Sequence, residues 1–238
     1  MKIGICAWSF TGAHREAGLD LDPHTPEGLI RLALENGLHS IECASASIEK
    51  LDDTQVGALR RRLDDNGLEI FLDTGGHDYA NDVSPLETAI QQAKRVGAAA
   101  VRTTISSLLE GDRRTLGADG MQAHLKGLVA PFRRAMPLAE DAGIPVGIEN
   151  HQDVCSSELI ELCGAVGSPM LGVTMDVANA LAVGESIEAF ALGVMPVLKH
   201  VHLKDYTVHP TPSGYRLKRC ALGSGVVDWP AVLALFDR

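Results

Sequence analysis

The chain has 238 residues, a length that fits one large α/β domain or two small ones. Its hydrophobic content of 45% and charged content of 22% are ordinary for a globular protein, and no apolar run approaches the roughly 20 residues of a membrane helix. The net charge of −10 argues against binding to a nucleic-acid backbone, which requires a basic protein face.

The amino terminus, Met1 to Cys6, enters a predicted strand at once. It leaves no room for a signal peptide, so we expect a cytoplasmic protein with no membrane partner. The five cysteines are odd in number, widely scattered and form no Cys-x-x-Cys pair. Neither a disulfide framework nor a thiolate zinc site is therefore indicated.

Strand and helix patterns alternate along the whole chain. Strands are predicted in residues 2–8, 40–43, 68–73, 98–105, 144–151, 170–179 and 197–205. Helices are predicted in residues 26–36, 51–66, 84–96, 121–142, 156–167 and 186–195, with a last one opening at Asp228. Pro131 and Pro137 predict a kink or break in the long helix, and residues 206–225 are predicted to form a loop.

This strict alternation implies parallel strands joined by right-handed helical crossovers. An eight-stranded barrel and an open doubly wound sheet both satisfy it. A dinucleotide-binding sheet would show Gly-x-Gly-x-x-Gly after its first strand, whereas residues 8–12 read Trp-Ser-Phe-Thr-Gly. We therefore predict one (β/α)8 TIM-barrel domain over residues 1–238.

The predicted barrel is incomplete at its C-terminal end. A closed barrel usually takes about 250 residues, and this sequence stops at Arg238, within its seventh helix. Strand eight and helix eight are missing from it. The edges of strands one and seven would be exposed, which predicts pairing with a second copy or with a partner that closes the seam.

Three polar residues follow apolar runs at the ends of successive predicted strands: Glu149, Asp176 and His202. The carboxyl ends of parallel strands meet at one rim, where such folds place their chemistry. Two carboxylates and one imidazole suit a single divalent ion of Mn, Mg, Co, Zn or Fe and leave coordination positions open. We predict a metal site with these three ligands.

Other polar or aromatic residues near strand ends are candidates for substrate binding: Trp8, Glu42, His77, His151, Asn179 and Asp205. Several have a second interpretation. Trp8 would stack on a sugar or fill the barrel mouth, and Glu42 would accept a substrate hydrogen bond or pair with buried Arg102. His151 and Asn179 would contact substrate, support the metal or cap loops.

The segment that follows the last predicted strand is also open to two interpretations. Lys204 and Asp205 would form a substrate cation with its orienting partner, or a surface ion pair. The basic loop 206–225 would form a lid over an anionic or polyol substrate, or a solvated run of charge.

Four segments together carry a family resemblance: Gly147-Ile-Glu-Asn-His151, Met175-Asp-Val-Ala-Asn179, His200-Val-His-Leu-Lys-Asp205 and Leu222-Gly-Ser-Gly-Val-Val-Asp-Trp229. In this order and spacing they resemble the sugar phosphate isomerase/epimerase family, whose fold is a xylose isomerase-like TIM barrel. The group includes inosose dehydratases and isomerases, ketose 3-epimerases and nucleases of the endonuclease IV type.

The resemblance implies that Glu149, Asp176 and His202 are metal ligands and that Glu149 exchanges a proton with substrate. The family's fourth ligand, a glutamate ending strand eight, has no counterpart in this sequence. The nucleases carry a histidine three residues after the strand-six aspartate, where this chain has Asn179. That difference argues against phosphodiester cleavage.

The leading hypothesis is a metal-dependent isomerase or epimerase of a sugar, keto-sugar or inositol derivative. Catalysis would proceed through an enediolate, with Glu149 as base and Lys204 as a second catalytic group. One alternative is a lyase or dehydratase, because the same enolate can expel a leaving group. The other is a non-catalytic or partner-completed subunit that binds carbohydrate.

Overall fold

The computed structural model describes residues 2–10, 18, 20–105 and 113–237. Within these residues, seven parallel strands form one sheet in chain order, each hydrogen-bonded to the next. The strands are β1 (Gly4–Cys6), β2 (Ser40–Ala44), β3 (Glu69–Asp73), β4 (Ala100–Thr103), β5 (Val146–Glu149), β6 (Leu171–Asp176) and β7 (Leu198–His202). In the described part of the chain β1 and β7 have no second strand neighbour. The predicted incomplete (β/α)8 barrel is confirmed.

Helices connect the strands, as the alternation predicted. They are α1 (Pro26–Glu35), α2 (Ser45–Glu49), α3 (Asp53–Asp65), α4 (Ser84–Val96), α5 (Arg113–Ala142), α6 (Ser156–Val166), α7 (Ile187–Val194) and α8 (Trp229–Phe236). Two predicted starts have the expected cap: the side chain of Thr25 accepts from the amide of Gly28, and that of Asp228 accepts from the amide of Ala231.

The long helix α5 differs from its prediction. It passes through Pro131 and Pro137, and only Gly117, with φ of 66°, departs from helical geometry. Each proline removes one backbone donor, a loss the helix tolerates because Leu128 and Phe132 are fully buried against the core. Since α5 begins at Arg113, the loop predicted up to Gly120 is helical from there except at Gly117, where two helical pieces meet at a kink. The break thus lies at this glycine and not at the prolines; residues 106–112 lie outside the described part.

The loop predicted over residues 206–225 is wrong for most of its length. The chain forms an antiparallel hairpin, β8 (Asp205–Thr211) and β9 (Gly214–Cys220), with Thr211 opposite Gly214. Gly214 has φ of 145°, which suits a glycine at the tight turn. Tyr206 and Leu217 pack in an apolar cluster with Val201 of β7. This packing orders the hairpin, although its many charged residues suggest a solvated loop.

The middle of the sheet is the most buried part of the fold. Every residue of β4, β5 and β6 is buried, as expected for parallel strands covered on both faces. Gly147 is required here, because a Cβ at that position would lie 2.2 Å from Thr174 Oγ1. This close approach sets the spacing between the two strands that carry Glu149 and Asp176.

No single helix among the described residues has the length and apolar composition to cross a membrane. Two short segments, Val177–Val183 and Ile187–Val197, reach the required length and apolar composition only when they are taken together, and they are bent by 109° relative to each other.

Candidate metal centre

A cavity of about 1160 Å³ opens at the carboxyl ends of the strands. Its lining includes Glu149, Asp176 and His202, and it extends along the gap between β1 and β7. The cavity therefore joins the predicted rim to the open seam of the barrel.

The three predicted ligands converge. Glu149, Asp176 and His202 are the last residues of β5, β6 and β7, and one ligand atom from each lies within 4.8 Å of the other two. Parallel pairing brings these strand ends together: Asp176 lies opposite His202, after a shift of register between Val173 and Thr174, and Glu149 lies opposite Thr174, two residues before Asp176. The geometry is compatible with one small cation among them.

The carboxylate of Asp176 offers one unused oxygen. Its Oδ2 accepts a hydrogen bond from Asn179 Nδ2 at 2.9 Å and contacts the ammonium of Lys204. Its Oδ1 is buried and has no hydrogen-bond partner in the described part of the chain. Burial raises the pKa of Asp176 to about 7, although the Lys204 ammonium opposes the rise. A buried acceptor of this kind needs a partner, and a metal ion fits that need.

Arg102, near the end of β4, is the central cation beneath this site. Its guanidinium contacts three carboxylates: Glu42 Oε1 at 3.1 Å, Asp73 Oδ2 at 2.7 Å and Glu149 Oε2 at 2.5 Å. Burial alone would raise the pKa of Glu149, but Arg102 and His202 outweigh it and hold that pKa well below the usual range. Glu149 is thus ionised and has one oxygen, Oε1, turned away from Arg102 towards His202.

His202 lies between two glutamates. Its Nε2 is 2.7 Å from Glu42 Oε2, and its Nδ1 is 3.7 Å from Glu149 Oε1. Burial would lower the pKa of His202, yet the two carboxylates raise it to about 10. The site thus favours a positive charge at this imidazole.

The charges around the ligands can accommodate a divalent ion. The carboxylates of Glu42, Asp73, Glu149 and Asp176 contact two fixed cations, Arg102 and Lys204. A positive charge on His202 and a proton on Asp176 offset the two remaining negative charges. Metal binding requires His202 to be neutral and Asp176 to be ionised, and a divalent ion would then supply the two positive charges in their place, so these residues fit the predicted metal.

The other predicted contacts have varied surroundings. Trp8 is 51% exposed at the cavity, and its indole donates to Asp73. His77 lies 2.8 Å from the carbonyl oxygen of Thr74. His151 lines the cavity. Glu42 is the buried partner of Arg102, the second of its two interpretations.

Lys204 and Asp205, neighbours in sequence, have separate partners. Lys204 contacts Asp176, whereas the Asp205 carboxylate accepts hydrogen bonds from backbone amides of the hairpin and the following segment and from the Trp229 indole. A Cβ at Gly225 would lie 2.0 Å from Asp205 Oδ1, so glycine is needed beside it. The pairing of Lys204 with Asp205 is therefore wrong, and Asp205 holds the hairpin against the barrel.

Sequence reasoning missed a hydrogen-bonded chain behind Asp176. The side-chain oxygen of Asn179 accepts hydrogen bonds from Gln152 Nε2 at 3.1 Å and from the Tyr206 hydroxyl at 3.0 Å. Gln152 has φ of 69°, the one described non-glycine residue with positive φ. Such strain is concentrated at functional sites, but no sequence signal marks it. Arg102, in contrast, can be recognised in the sequence, because it is a lone charged residue inside the predicted apolar strand β4.

A second group of possible ligands shares the imidazole. Cys6, Glu42 and His202 also bring one ligand atom each within 4.8 Å of the others. The Cys6 Sγ is 3.7 Å from Glu42 Oε1. His202 thus has a candidate ion site on each side of its ring.

Sequence comparison identifies the family. The family model described as xylose isomerase-like TIM barrel matches residues 30–238. The uncharacterised protein YihM of Escherichia coli K12 is 25% identical over 213 residues, which are 87% of this chain and 61% of that protein. The 3-oxo-isoapionate decarboxylase of Pectobacterium atrosepticum is 24% identical over 239 residues, 98% of this chain and 79% of the enzyme. The chain thus spans less than two thirds of the length of YihM.

Solved structures agree on the fold. A D-psicose 3-epimerase crystallised with D-fructose superposes with a TM-score of 0.71 at 18% identity, covering 100% of this chain and 81% of the epimerase. A xylose isomerase-like TIM barrel protein from Mycobacterium smegmatis, in complex with magnesium, has a TM-score of 0.69 at 18% identity and covers 99% of this chain and 86% of that protein. The family resemblance of the four sequence segments is confirmed.

Proposed function

The chain belongs to the xylose isomerase-like TIM barrel family, and we propose that it is a divalent-metal-dependent isomerase or epimerase of a sugar, keto-sugar or inositol derivative. The single observation that carries this proposal is the convergence of ligand atoms of Glu149, Asp176 and His202 within 4.8 Å of one another. Similarity to proteins named as enzymes of sugars and sugar derivatives supports the substrate class.

Glu149, Asp176 and His202 would hold the ion. When bound, a divalent ion supplies a Lewis acid that polarises a substrate carbonyl and lowers the cost of the negative charge that develops there. The ion's binding requires His202 to be neutral and both carboxylates to be ionised.

Glu149 and Lys204 carry the proton chemistry in this proposal. The ionised carboxylate of Glu149 accepts the proton on the carbon next to the carbonyl, and the electron pair of that C–H bond moves towards the carbonyl oxygen. Burial lowers the pKa of Lys204, but Asp176 outweighs burial and raises it, so Lys204 stays a charged donor towards substrate oxygens. Return of the proton to the other face gives an epimer. Delivery of the proton to the neighbouring carbon gives an isomer, provided that a second proton passes from the substrate hydroxyl to the former carbonyl oxygen, a transfer that Lys204 would assist.

The cavity supplies the substrate contacts. Trp8 offers an exposed ring face on which a sugar could stack, and His151 and Lys204 line the same space. A cavity of about 1160 Å³ exceeds what one sugar needs, which leaves room for a glycoside or for a chain segment at the seam.

A lyase is the second candidate. The contact between the Lys204 ammonium and Asp176 favours it, because a charged donor beside the ligands can protonate a departing hydroxyl group. The similarity to a decarboxylase also supports a lyase. Loss of carbon dioxide from a carboxylate β to a carbonyl breaks the C–C bond and leaves its electron pair in the same kind of enolate, which then takes up a proton. The third candidate function is that of a carbohydrate-binding subunit, which a partner completes at the β1–β7 seam.

One experiment separates these functions. The chain is stripped with a chelator, reloaded with Mn²⁺ and incubated in deuterated water with D-fructose, a panel of other ketoses and a panel of sugar-derived β-keto acids. An isomerase or epimerase incorporates deuterium next to the carbonyl without loss of water or carbon dioxide. A lyase releases one of them.

Two variants calibrate the result. Glu149→Gln should lose at least about 100-fold in exchange, the range for general base catalysis. Glu35→Gln, an exposed residue paired with Arg31, should match the unmodified chain. Metal uptake without any deuterium exchange or product would exclude both enzymes and favour the carbohydrate-binding subunit.

A further inference from the structure

The two nitrogens of His202 face different carboxylates. Nδ1 is 3.7 Å from Glu149 Oε1, a candidate ligand together with Asp176, while Nε2 is 2.7 Å from Glu42 Oε2. An imidazole that binds a metal uses one nitrogen for the ion and commonly donates its other N–H to a carboxylate, which fixes the tautomer and the ring orientation.

We infer that Glu42 is a positioning residue of the metal centre: it accepts the Nε2–H of His202 and thereby leaves Nδ1 to bind the ion beside Glu149 and Asp176. This inference rests on the proposed function, since it presupposes a metal at those ligands. It assigns Glu42 a role that its position in the sequence did not indicate, because Glu42 ends β2 and His202 ends β7.

Glu42 is itself held rigidly. It is buried, its Oε1 accepts from Arg102 Nε at 3.1 Å, and its Oε2 also lies 3.2 Å from His200 Nε2. The His200 ring stacks on Phe71 with centroids 4.2 Å apart. A carboxylate with both oxygens occupied has little freedom to turn away from His202.

A closed ring of contacts links this carboxylate to the ligands. Arg102 donates to one oxygen of Glu42 and to one oxygen of Glu149, and His202 lies between the two remaining oxygens. Each glutamate therefore presents one oxygen to Arg102 and the other to His202. The ring fixes the direction of Glu149 Oε1 and of the imidazole together, which is the preorganisation that a metal site needs.

The competing site on the other side of the imidazole is less suitable. An ion held by Cys6, Glu42 and His202 would use Nε2 and would have to displace Arg102 or His200 from Glu42. In the other group of candidate ligands, Asp176 keeps a buried Oδ1 that has no hydrogen-bond partner among described residues. An ion held by Glu149, Asp176 and His202 therefore has a carboxylate with an unused oxygen and displaces neither Arg102 nor His200 from Glu42.

The direct test is the ¹⁵N spectrum of the unmodified chain, labelled at histidine and loaded with Zn²⁺. The His202 signal, identified by its loss in His202→Gln, should show a proton on Nε2 and a metal-bound Nδ1. A proton on Nδ1 with the metal on Nε2 would overturn the inference, as would a thiolate-to-cobalt absorption band after loading with Co²⁺, which reports Cys6 as a ligand.

Calorimetric titration with Mn²⁺ gives the second readout. Glu42→Gln should weaken Mn²⁺ binding by about 10- to 100-fold, the usual effect of losing such a partner, whereas Glu35→Gln should leave it unchanged. Equal affinity in Glu42→Gln defeats the inference while the proposed function stands. Failure of the unmodified chain to bind any ion defeats the proposed function instead. If Glu42→Gln does not fold, the spectrum of the unmodified chain decides alone.

Discussion

Strands β6 and β7 are neighbours, yet they differ in how they are held. All six residues of β6 are buried, whereas all five residues of β7 are partly exposed. β6 has a strand on each side, while β7 has one neighbour among the described residues. The difference shows that backbone pairing builds the β2–β6 side of the barrel, and that the seam needs another means of support.

Side chains provide that support. His200 and His202 of β7 both reach Glu42 of β2, across the gap that no backbone hydrogen bond bridges in the described part of the chain. The candidate ligands lie along this boundary, two on fully buried strands and one on β7. The site therefore depends on the buried strands β2–β6 and on the side-chain contacts of β7 with Glu42, which span the gap between β1 and β7.

The largest effect should follow from removal of the central cation. Arg102→Ala leaves three buried carboxylates without their shared partner, and we expect a loss of about 3–5 kcal/mol in the free energy of unfolding, measured with urea. The exposed pair of Arg31 and Glu35 is the control: Arg31→Ala should cost about 0–1 kcal/mol. Similar losses in both variants would contradict the role given to Arg102.

Core truncations on the two sides should differ. Leu72→Ala, at a fully buried position of β3, should cost about 2–5 kcal/mol, because it opens a cavity in close-packed surroundings. Leu198→Ala, at a half-buried position of β7, should cost less than half as much. Equal losses in urea denaturation would mean that the seam is packed as tightly as the rest.

Hydrogen exchange sharpens the same comparison strand by strand. Amides of β7 should open with a lower free energy than those of β6, since local stability follows burial and pairing. Mass spectrometry of peptides covering 171–176 and 198–202 measures both in one sample. Added Mn²⁺ should slow exchange in β7 more than in β6, and uniform protection would count against a link through His202.

A smaller effect is the pH dependence of the free energy of unfolding that comes from Asp153, which follows the buried strand β5. Burial raises the pKa of Asp153 to about 7 and outweighs the nearby backbone amides and Arg113, which lower it. Between pH 4 and 7 the folded chain then holds a proton that the unfolded chain has released, so this group lowers the free energy of unfolding as pH rises.

Asp153→Asn removes that contribution. Relative to the unmodified chain, its free energy of unfolding should rise by up to about 1.4 kcal/mol per pH unit through this window and level off above pH 7. Urea denaturation at several pH values measures the difference between the two proteins, which cancels other titrating groups. A difference that does not change with pH would refute the assignment.

The sequence predicted what depends on the position of a residue along a strand. Glu149, Asp176 and His202 were found because each follows an apolar run, and parallel pairing then places such ends together. It did not predict contacts set by side-chain direction across the barrel, such as the two-sided role of His202. For Arg102 it offered Glu42 as a partner in one of two interpretations but not Asp73 or Glu149. The hairpin was missed because Arg216, Lys218 and Arg219 masked the packing of Tyr206 and Leu217.

The most direct test of the metal centre is anomalous diffraction from crystals of the chain grown with Mn²⁺. We predict one strong peak about 2 Å from an oxygen of Glu149, an oxygen of Asp176 and Nδ1 of His202. A peak only beside Cys6 and Glu42, or none within bonding distance of Asp176, would contradict it.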